Sequence, residues 1–290
     1  MNDQNQTVDE PGREQTPDNS PPQPERIGRY QVKSVLGQGR FGIVYLAHDD
    51  QLQRLVAITV PHARLISRPE DTEAYLTEAR TVASLDHPNI VPVYDVGSTQ
   101  DCPCFVVSKY IEGQTLREFY FAKNPTPIES SRILVKLADA LDVAHQRNLY
   151  HLNLGPNKIL VDAENTPFLM REDFIRVERL AGDHPVYGHP AYCSPEQVAG
   201  EAALIGSASD IFSFGVVLYE MLTGRRPYRS DGLQVCEEIL HAPIEPPSRV
   251  KKGIPSKFDK ICATSMAKSP AARYQRMADF ANALRVAEAS

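Results

Sequence analysis

Several features are missing from this 290-residue sequence, and each absence excludes a class of protein. No apolar run approaches the roughly 18 residues that a membrane span needs, and the N-terminus has no signal-peptide pattern. A net charge of −6 gives no basic footprint for nucleic acid. We therefore expect a cytoplasmic protein that has no membrane span and binds no nucleic acid.

Metal-type cysteine spacing is also scarce. The sequence has five cysteines, and only Cys102 and Cys104 are close, in a Cys-Pro-Cys arrangement. A metal site would need more ligands nearby, so we interpret this pair as the tip of a hairpin. Cysteines that form no disulfide framework indicate a reducing compartment.

The remaining composition predicts a folded body that follows a polar tail. Residues 1–26 are rich in proline and polar residues and have hardly any apolar residues, so we predict a disordered tail. Either it is a solvated extension or it docks on a partner. The whole chain is 42% hydrophobic and 23% charged, which is enough for two lobes with their own cores within residues 27–290.

Periodicity predicts strands first and helices later. Apolar residues in 30–36 and 43–46 flank a glycine turn as a hairpin would, and 55–60 reads as a third strand. Helical spacing of apolar residues then recurs in five segments: 71–85, 131–148, 209–222, 258–267 and 277–286.

Seven sequence blocks occur in the order seen in serine/threonine protein kinases. They include GQGRFGIVYLA, VAITV, YHLNLGPNKIL and SASDIFSFGVVLYEMLTGRRPY, and the resemblance runs from about Arg29 to Leu284. The chain most resembles bacterial members of that family. The resemblance implies an α+β fold of two lobes: a β-rich N-lobe with an αC helix (27–108), a hinge (109–113) and a helical C-lobe (114–290).

The catalytic loop of the family is altered in YHLNLGPNKIL. In such kinases an Asp accepts the substrate proton and an Asn binds the second magnesium. Asn153 stands at the Asp position, and its amide accepts no proton at neutral pH. Lys158 stands at the Asn position, Gly155 at that of the following Lys, and Leu152 at that of the Arg.

The phosphate-binding lysine of the third strand is replaced as well. Thr59 stands at its position, whereas Glu78 matches the αC glutamate that would pair with it. A carboxylate that loses its buried partner must be hydrated or find another cation. We expect Glu78 to swing outward or to pair elsewhere, for which Arg40 is a candidate, although Arg40 also fits a solvent-facing loop residue.

Asp173-Phe174-Ile175 occupies the position of the family's Asp-Phe-Gly. Asp173 is either a residual metal ligand or the ion-pair partner of Lys158, and we favour the pair because a lysine can neutralise the carboxylate without a metal. Ile175 lacks the backbone freedom of glycine. No Ser or Thr lies between Asp173 and Ser194, and His189 replaces the Thr of Gly-Thr-Pro-x-Tyr, where we interpret it as a packed or exposed substitute rather than a new base.

Other positions of the family pattern are retained. Four residues match positions that hold the C-lobe together: His151, Asp210, Glu196 and Arg273. Seven match nucleotide-binding positions: Gly37, Gly39, Gly42, Val44, Ala57, Ser108 and Tyr110. If ATP binds, we expect weak binding that does not depend on magnesium.

The leading hypothesis is therefore a pseudokinase, which requires no cofactor and acts as a signalling scaffold or allosteric regulator of a partner protein. One alternative is an atypical ATP-dependent kinase or other nucleotide transferase that uses a non-standard lysine, Lys33 or Lys158. Another is a metal-independent nucleotide sensor.

Overall fold

The computed structural model describes residues 23–39, 42–170, 174 and 188–289. The first part is an antiparallel sheet of six strands in the order β1-β2-β3-β4-β6-β5. The strands are β1 (Arg26–Ile27), β2 (Tyr30–Gln38), β3 (Gly42–Asp49), β4 (Arg54–Pro61), β5 (Val93–Gly97) and β6 (Phe105–Lys109). Helix α1 (Pro69–Ala83) lies between β4 and β5 in the chain and contacts β5.

The second part is helical. A small antiparallel sheet, β7 (Gly113–Thr115), β8 (Ile159–Asp162) and β9 (Pro167–Leu169), lies at its edge. The helices are α2 (Leu116–Lys123), α3 (Pro127–His145), α4 (Pro195–Ala199), α5 (Ser207–Thr223), α6 (Gly232–His241), α7 (Pro247–Val250), α8 (Lys257–Ser265) and α9 (Met277–Ala289). None of the helices in the described part of the chain is both long and apolar enough to span a bilayer.

Two apolar clusters account for most of the core. The first lies on one face of the six-stranded sheet and includes Tyr45, Ile58 and Val107. The second surrounds α5, whose residues from Ser209 to Leu222 are all buried, and it reaches α1 through Val82. Burial on every side explains why α5 has apolar residues on all of its faces. This arrangement is the predicted two-lobed α+β fold.

The predicted elements are confirmed, with shifts at their ends. Helix α3 starts at Pro127, four residues before the apolar pattern begins, because the Thr126 side chain accepts a hydrogen bond from the Glu129 amide while the Glu129 carboxylate accepts one from the Thr126 amide. Cys102 and Cys104 lie in the connection from β5 to β6, as the hairpin interpretation requires. Helices α2, α4, α6 and α7 were not predicted.

Candidate functional site

The loop around Asn153 is held from below by a carboxylate. Asp210, which is fully buried near the start of α5, accepts hydrogen bonds from the backbone amides of His151 (2.9 Å) and Leu152 (2.7 Å). Its Oδ2 atom also lies 2.8 Å from Nε2 of His145 at the end of α3. The retained Asp210 therefore does in this chain what its sequence position implied: it fixes the loop's backbone.

Leu152 has a strained conformation at the centre of this loop. Its φ of 56° lies in the left-handed region that β-carbon-bearing residues avoid, and the Asn153 amide donates to the His151 carbonyl (2.7 Å), which closes a three-residue turn. Gln197 donates to the Leu152 carbonyl from α4 at 2.8 Å. Contacts on two sides thus hold the turn that presents Asn153.

Chain segments that approach Asn153 leave little space beside its amide. A β-carbon built on Gly188, whose φ is 101°, would lie 2.5 Å from Oδ1 of Asn153, so only glycine fits there. The next residue, His189, accepts a hydrogen bond from the Ala191 amide through Nδ1 (3.2 Å) and lies edge-on to the Tyr192 ring. His189 is exposed, and its ring caps the turn that it begins.

Lys158 ends the short turn Pro156–Lys158 that follows the loop. Its amide donates to the Gly155 carbonyl (2.9 Å), and its own carbonyl accepts from Met170 at the end of β9 (3.2 Å). A β-carbon on Gly155 would contact the Tyr192 ring at an ordinary 3.4 Å. Steric exclusion at the β-carbon is therefore not the reason why this chain lacks a lysine at position 155.

Two residues with sequence predictions, Asp173 and Ile175, follow Met170. Asp173 and Ile175 lie outside the described residues, so the ion pair of Asp173 with Lys158 stays a prediction. Phe174 is described: it is buried and lies edge-on to the His151 ring, with 5.1 Å between ring centroids. His151 and Phe174 therefore pack together behind the loop.

Register in the six-stranded sheet places the predicted nucleotide-binding side chains together. Thr59 pairs with Val44 on β3, and Ala57 pairs with Ser108 on β6. Directly paired residues point to the same face of a sheet, and Ala57 and Thr59 are two apart, so all four share one face. That face is opposite the apolar cluster containing Tyr45. Thr59 and Ser108 are each only 2% exposed.

Glu78 lies on α1, where the sequence placed the αC glutamate. The residue is half-buried and its Oε1 atom is buried, so the outward swing and the substitute ion pair both stay predictions. Arg40, the suggested substitute cation, lies outside the described residues. Thr59, at the position of the missing lysine, is a neutral side chain and supplies no counter-charge to Glu78.

The glycines of the first loop differ in their surroundings. A β-carbon on Gly42 would lie 2.1 Å from the Val60 carbonyl oxygen, so packing alone requires glycine there. Gly37 and Gly39 have no atom within 4 Å of such a β-carbon. The Gly39 amide donates to the Gly42 carbonyl at 2.9 Å, which closes the described part of the loop. Tyr110 follows β6 and is half-buried.

A buried ion pair joins Glu196 of α4 to Arg273, which lies between α8 and α9. Arg273 donates from Nη1 to Oε1 of Glu196 (2.8 Å) and from Nη2 to Oε2 (2.7 Å), and neither side chain is more than 1% exposed. Burial would raise the pKa of Glu196, but the hydrogen bonds and charge of Arg273 and the hydroxyl of Ser209 outweigh it and lower that pKa. The remaining donors of Arg273 bond the carbonyls of Ala267, Ala208 and Lys268.

Sequence reasoning missed a further buried carboxylate, that of Glu220. Glu220 of α5 is 3% exposed and accepts from the Tyr192 hydroxyl (2.6 Å) and from Arg117 of α2 (3.2 Å). Burial and the nearby Glu220 charge raise the pKa of Tyr192. The signal was available, because a lone glutamate inside the apolar run of α5 needs a buried partner.

Two of the family's polar positions for magnesium and nucleotide carry other groups in this chain. Across the described ranges, no three His, Cys, Asp or Glu side chains cluster as a metal site would require. Asn153 is a neutral amide and Lys158 brings a positive charge where a second divalent cation would bind. Asp173, the remaining metal-ligand position of the family pattern, lies outside the described residues, so whether metal or nucleotide binds at this site stays a prediction.

Comparison with known proteins gives a consistent result. The model of the "Protein kinase domain" matches residues 30–283. The chain is 34% identical over 261 residues to "Serine/threonine-protein kinase PrkC" of Bacillus subtilis and 33% identical over 263 residues to "Serine/threonine-protein kinase PknB" of Mycobacterium tuberculosis, in each case over 87% of this chain. These alignments cover only 39% and 42% of the two relatives.

A solved structure shows the same fold. The kinase domain of PknI from Mycobacterium tuberculosis superposes with a TM-score of 0.68 and 22% identity, over 90% of this chain and 96% of that one. The family match, the bacterial relatives and the two-lobed architecture agree, so this chain belongs to the protein kinase family.

Proposed function

We propose that this chain is a pseudokinase: a protein kinase domain that transfers no phosphate and acts as a scaffold or allosteric regulator of a partner protein. The observation that carries the proposal is Asn153, which stands on the loop that Asp210 fixes. The loop's backbone is held in place, but the group it presents cannot accept the substrate's proton.

The size of the expected loss supports inactivity over slow catalysis. A positioned general base typically contributes about 100- to 10,000-fold, and stabilising charge on the transferred phosphoryl group contributes at least as much, although such losses are not additive. Thr59 and Lys158 remove groups of the second kind. We infer that several losses of this size leave no useful phosphoryl transfer.

The test is a transfer assay with radiolabelled ATP. The purified chain is incubated with magnesium or manganese and with generic protein substrates, and the PknB kinase domain serves as the positive control. We expect no label in the chain or in the substrates. Transfer that disappears in the Asp173→Ala variant would contradict the proposal, because that carboxylate would then be a working metal ligand.

The relatives favour a second candidate, an atypical kinase that uses a substitute lysine, because both are named as serine/threonine-protein kinases. Lys33 of β2 is exposed and bonds Gln31, whereas Lys158 lies on the catalytic loop itself. If Lys158 is the working residue, Lys158→Ala abolishes transfer and Lys33→Ala does not. If neither substitution changes a measurable activity, this candidate is wrong.

Nucleotide binding provides a separate prediction. Val44 and Ala57 are half-buried and can contact a base, whereas Ser108 is buried. Thr59 carries no charge to bind phosphates, and the positive charge of Lys158 disfavours magnesium. At an ATP concentration equal to the Kd, linkage gives only about 0.4 kcal/mol of stabilisation. We expect a thermal shift with ATP that is small and equal with and without magnesium. A large shift that requires magnesium would contradict this account of the site.

A further inference from the structure

Five cations lie close together in the chain on α7, α8 and the turn between them. This basic strip consists of Arg249, Lys251, Lys252, Lys257 and Lys260. Together with the one acid among them, Asp259, residues 249–260 have a net charge of +4 in a chain whose total is −6. All except the half-buried Lys257 are exposed, and none forms an ion pair with a carboxylate of the described residues.

The strip is fixed to a rigid part of the C-lobe. Asp259 accepts hydrogen bonds from the amide (2.9 Å) and hydroxyl (2.6 Å) of Ser248, which ties α7 to α8. Phe258 and Ile254 are buried beneath the same segment. Because its one carboxylate is used within the fold, the strip keeps an excess of positive charge at a defined place.

A groove with further cations adjoins the strip. Lys251 donates to the Asn124 side chain at the end of α2 (3.3 Å), next to a groove of about 430 Å³ between α2, α3 and the β8–β9 turn. Lys123, Arg132 and Lys136 line it, and Arg132 also pairs with Glu288 of α9 (3.4 Å). Its acidic residues are Glu129, which caps α3 through Thr126, and Glu164, and its floor includes Phe119 and Ile133.

The complementary charge is present in the same chain. Residues 1–22 carry Asp3, Asp9, Glu10, Glu14 and Asp18 against one arginine, a net charge of −4. Hardly any of these residues is apolar, so their attraction to a surface must be mainly electrostatic.

The length of this segment is sufficient to reach the strip. Twenty-two residues span up to about 73 Å when extended, whereas a domain of this size has a radius of gyration of about 18 Å. A covalently attached segment also has an effective concentration of the order of millimolar at sites it can reach, so weak ion pairs are enough.

We propose that residues 1–22 bind in cis along the basic strip and into the adjoining groove. The bound segment would cover one C-lobe surface with the chain's own acidic residues, and any partner of that surface would have to displace it. The inference does not depend on whether the cleft is active.

Nitrogen-15 NMR of the full chain tests the proposal. Backbone amide shifts of residues 1–22 are compared with those of a synthetic peptide of the same sequence in low-salt buffer. If the segment binds, its shifts differ from the peptide's, and raising NaCl to about 1 M, where the Debye length falls to about 3 Å, moves them to the peptide values. Full-chain shifts equal to the peptide's at low salt would overturn the proposal.

Charge variants locate the surface. Lys251→Gln/Lys252→Gln/Lys260→Gln is expected to remove at least half of the shift difference. A control with equal charge loss on the six-stranded sheet and α1, Lys33→Gln/Arg80→Gln/Lys109→Gln, should leave it unchanged. Equal effects of the two variants would show general attraction to the protein rather than binding at the strip, which contradicts the proposal.

Two further measurements exclude other occupants. Mixing labelled chain with unlabelled chain over a range of concentrations separates cis from trans binding, because only trans binding depends on concentration. If the shift differences appear only at high concentration, the segment binds another copy. The second measurement tests binding to vesicles that contain anionic lipid. If the full chain binds them and the strip variant does not, while the amide shifts of residues 1–22 equal those of the peptide, the strip is a membrane surface and the proposal is wrong.

Discussion

Replacing Glu196 by Ala is expected to lower the free energy of unfolding by about 3–5 kcal/mol, the cost typical of breaking a buried ion pair by removing one partner. The guanidinium of Arg273 would keep its carbonyl contacts but lose both carboxylate hydrogen bonds, at 2.8 and 2.7 Å, in a place that water does not reach. Ser209 would also lose the acceptor for its hydroxyl. Urea denaturation of the wild type and the variant measures the loss.

An exposed pair in the same lobe is the matched control. Arg285 also contacts both carboxylate oxygens of Asp139, between α9 and α3, but these side chains are 45% and 38% exposed. Asp139→Ala should therefore cost only about 0–1 kcal/mol, because solvent screens the pair. Similar losses at Glu196 and Asp139 would show that burial does not determine the contribution of the Glu196–Arg273 pair.

The lowered pKa of Glu196 adds a pH dependence with a defined sign. A carboxyl group whose pKa is lower in the folded than in the unfolded protein stabilises the fold at pH values above the unfolded pKa of about 4.3. That contribution is lost as the pH falls through the folded-state pKa. The difference in unfolding free energy between wild type and Glu196→Gln should therefore shrink below about pH 4. A constant difference would contradict the shift.

Sequence reasoning found the elements whose signal is local. The apolar run of α5 and the spacing of α1, α8 and α9 give the helices within a few residues, because packing against one core fixes the periodicity. The order of the blocks then places Asp210, and the structure shows its carboxylate under the catalytic loop. The start of α3 was missed, although the Thr126 and Glu129 pair is a readable capping signature.

Contacts between distant segments could not be predicted in the same way. Tyr192 and Glu220 are 28 residues apart and meet only because α5 passes beneath the turn Pro190–Tyr192. The close approach of Gly188 to Asn153 likewise depends on where two separate segments meet. The family pattern identifies the residues that surround the site, but only the three-dimensional structure shows which of them are in contact.

Removing the Asp210 carboxylate is expected to have an effect of similar size, about 3 kcal/mol or more. Three donors depend on it, the amides of His151 and Leu152 and the ring of His145, and each buried donor left without a partner costs about 1–3 kcal/mol. The Leu152 turn, with φ at 56°, would also lose the contact that holds its strained backbone. Asp210→Ala should therefore destabilise the protein without any change in the surface.

Asp210→Asn distinguishes the lost acceptor from lost volume. Asparagine keeps the shape but puts an NH₂ group against N–H donors, so we expect a cost close to that of alanine. Hydrogen exchange at the His151 and Leu152 amides should accelerate more than in the α5 core. Asp49→Ala is the control for losing a buried carboxylate elsewhere. The Asp49 carboxylate is equally buried, but it bonds the amides of its own turn and Arg29 and not the catalytic loop. If Asp210→Asn left stability and exchange unchanged, the catalytic loop would be held by its other contacts, such as the one from Gln197.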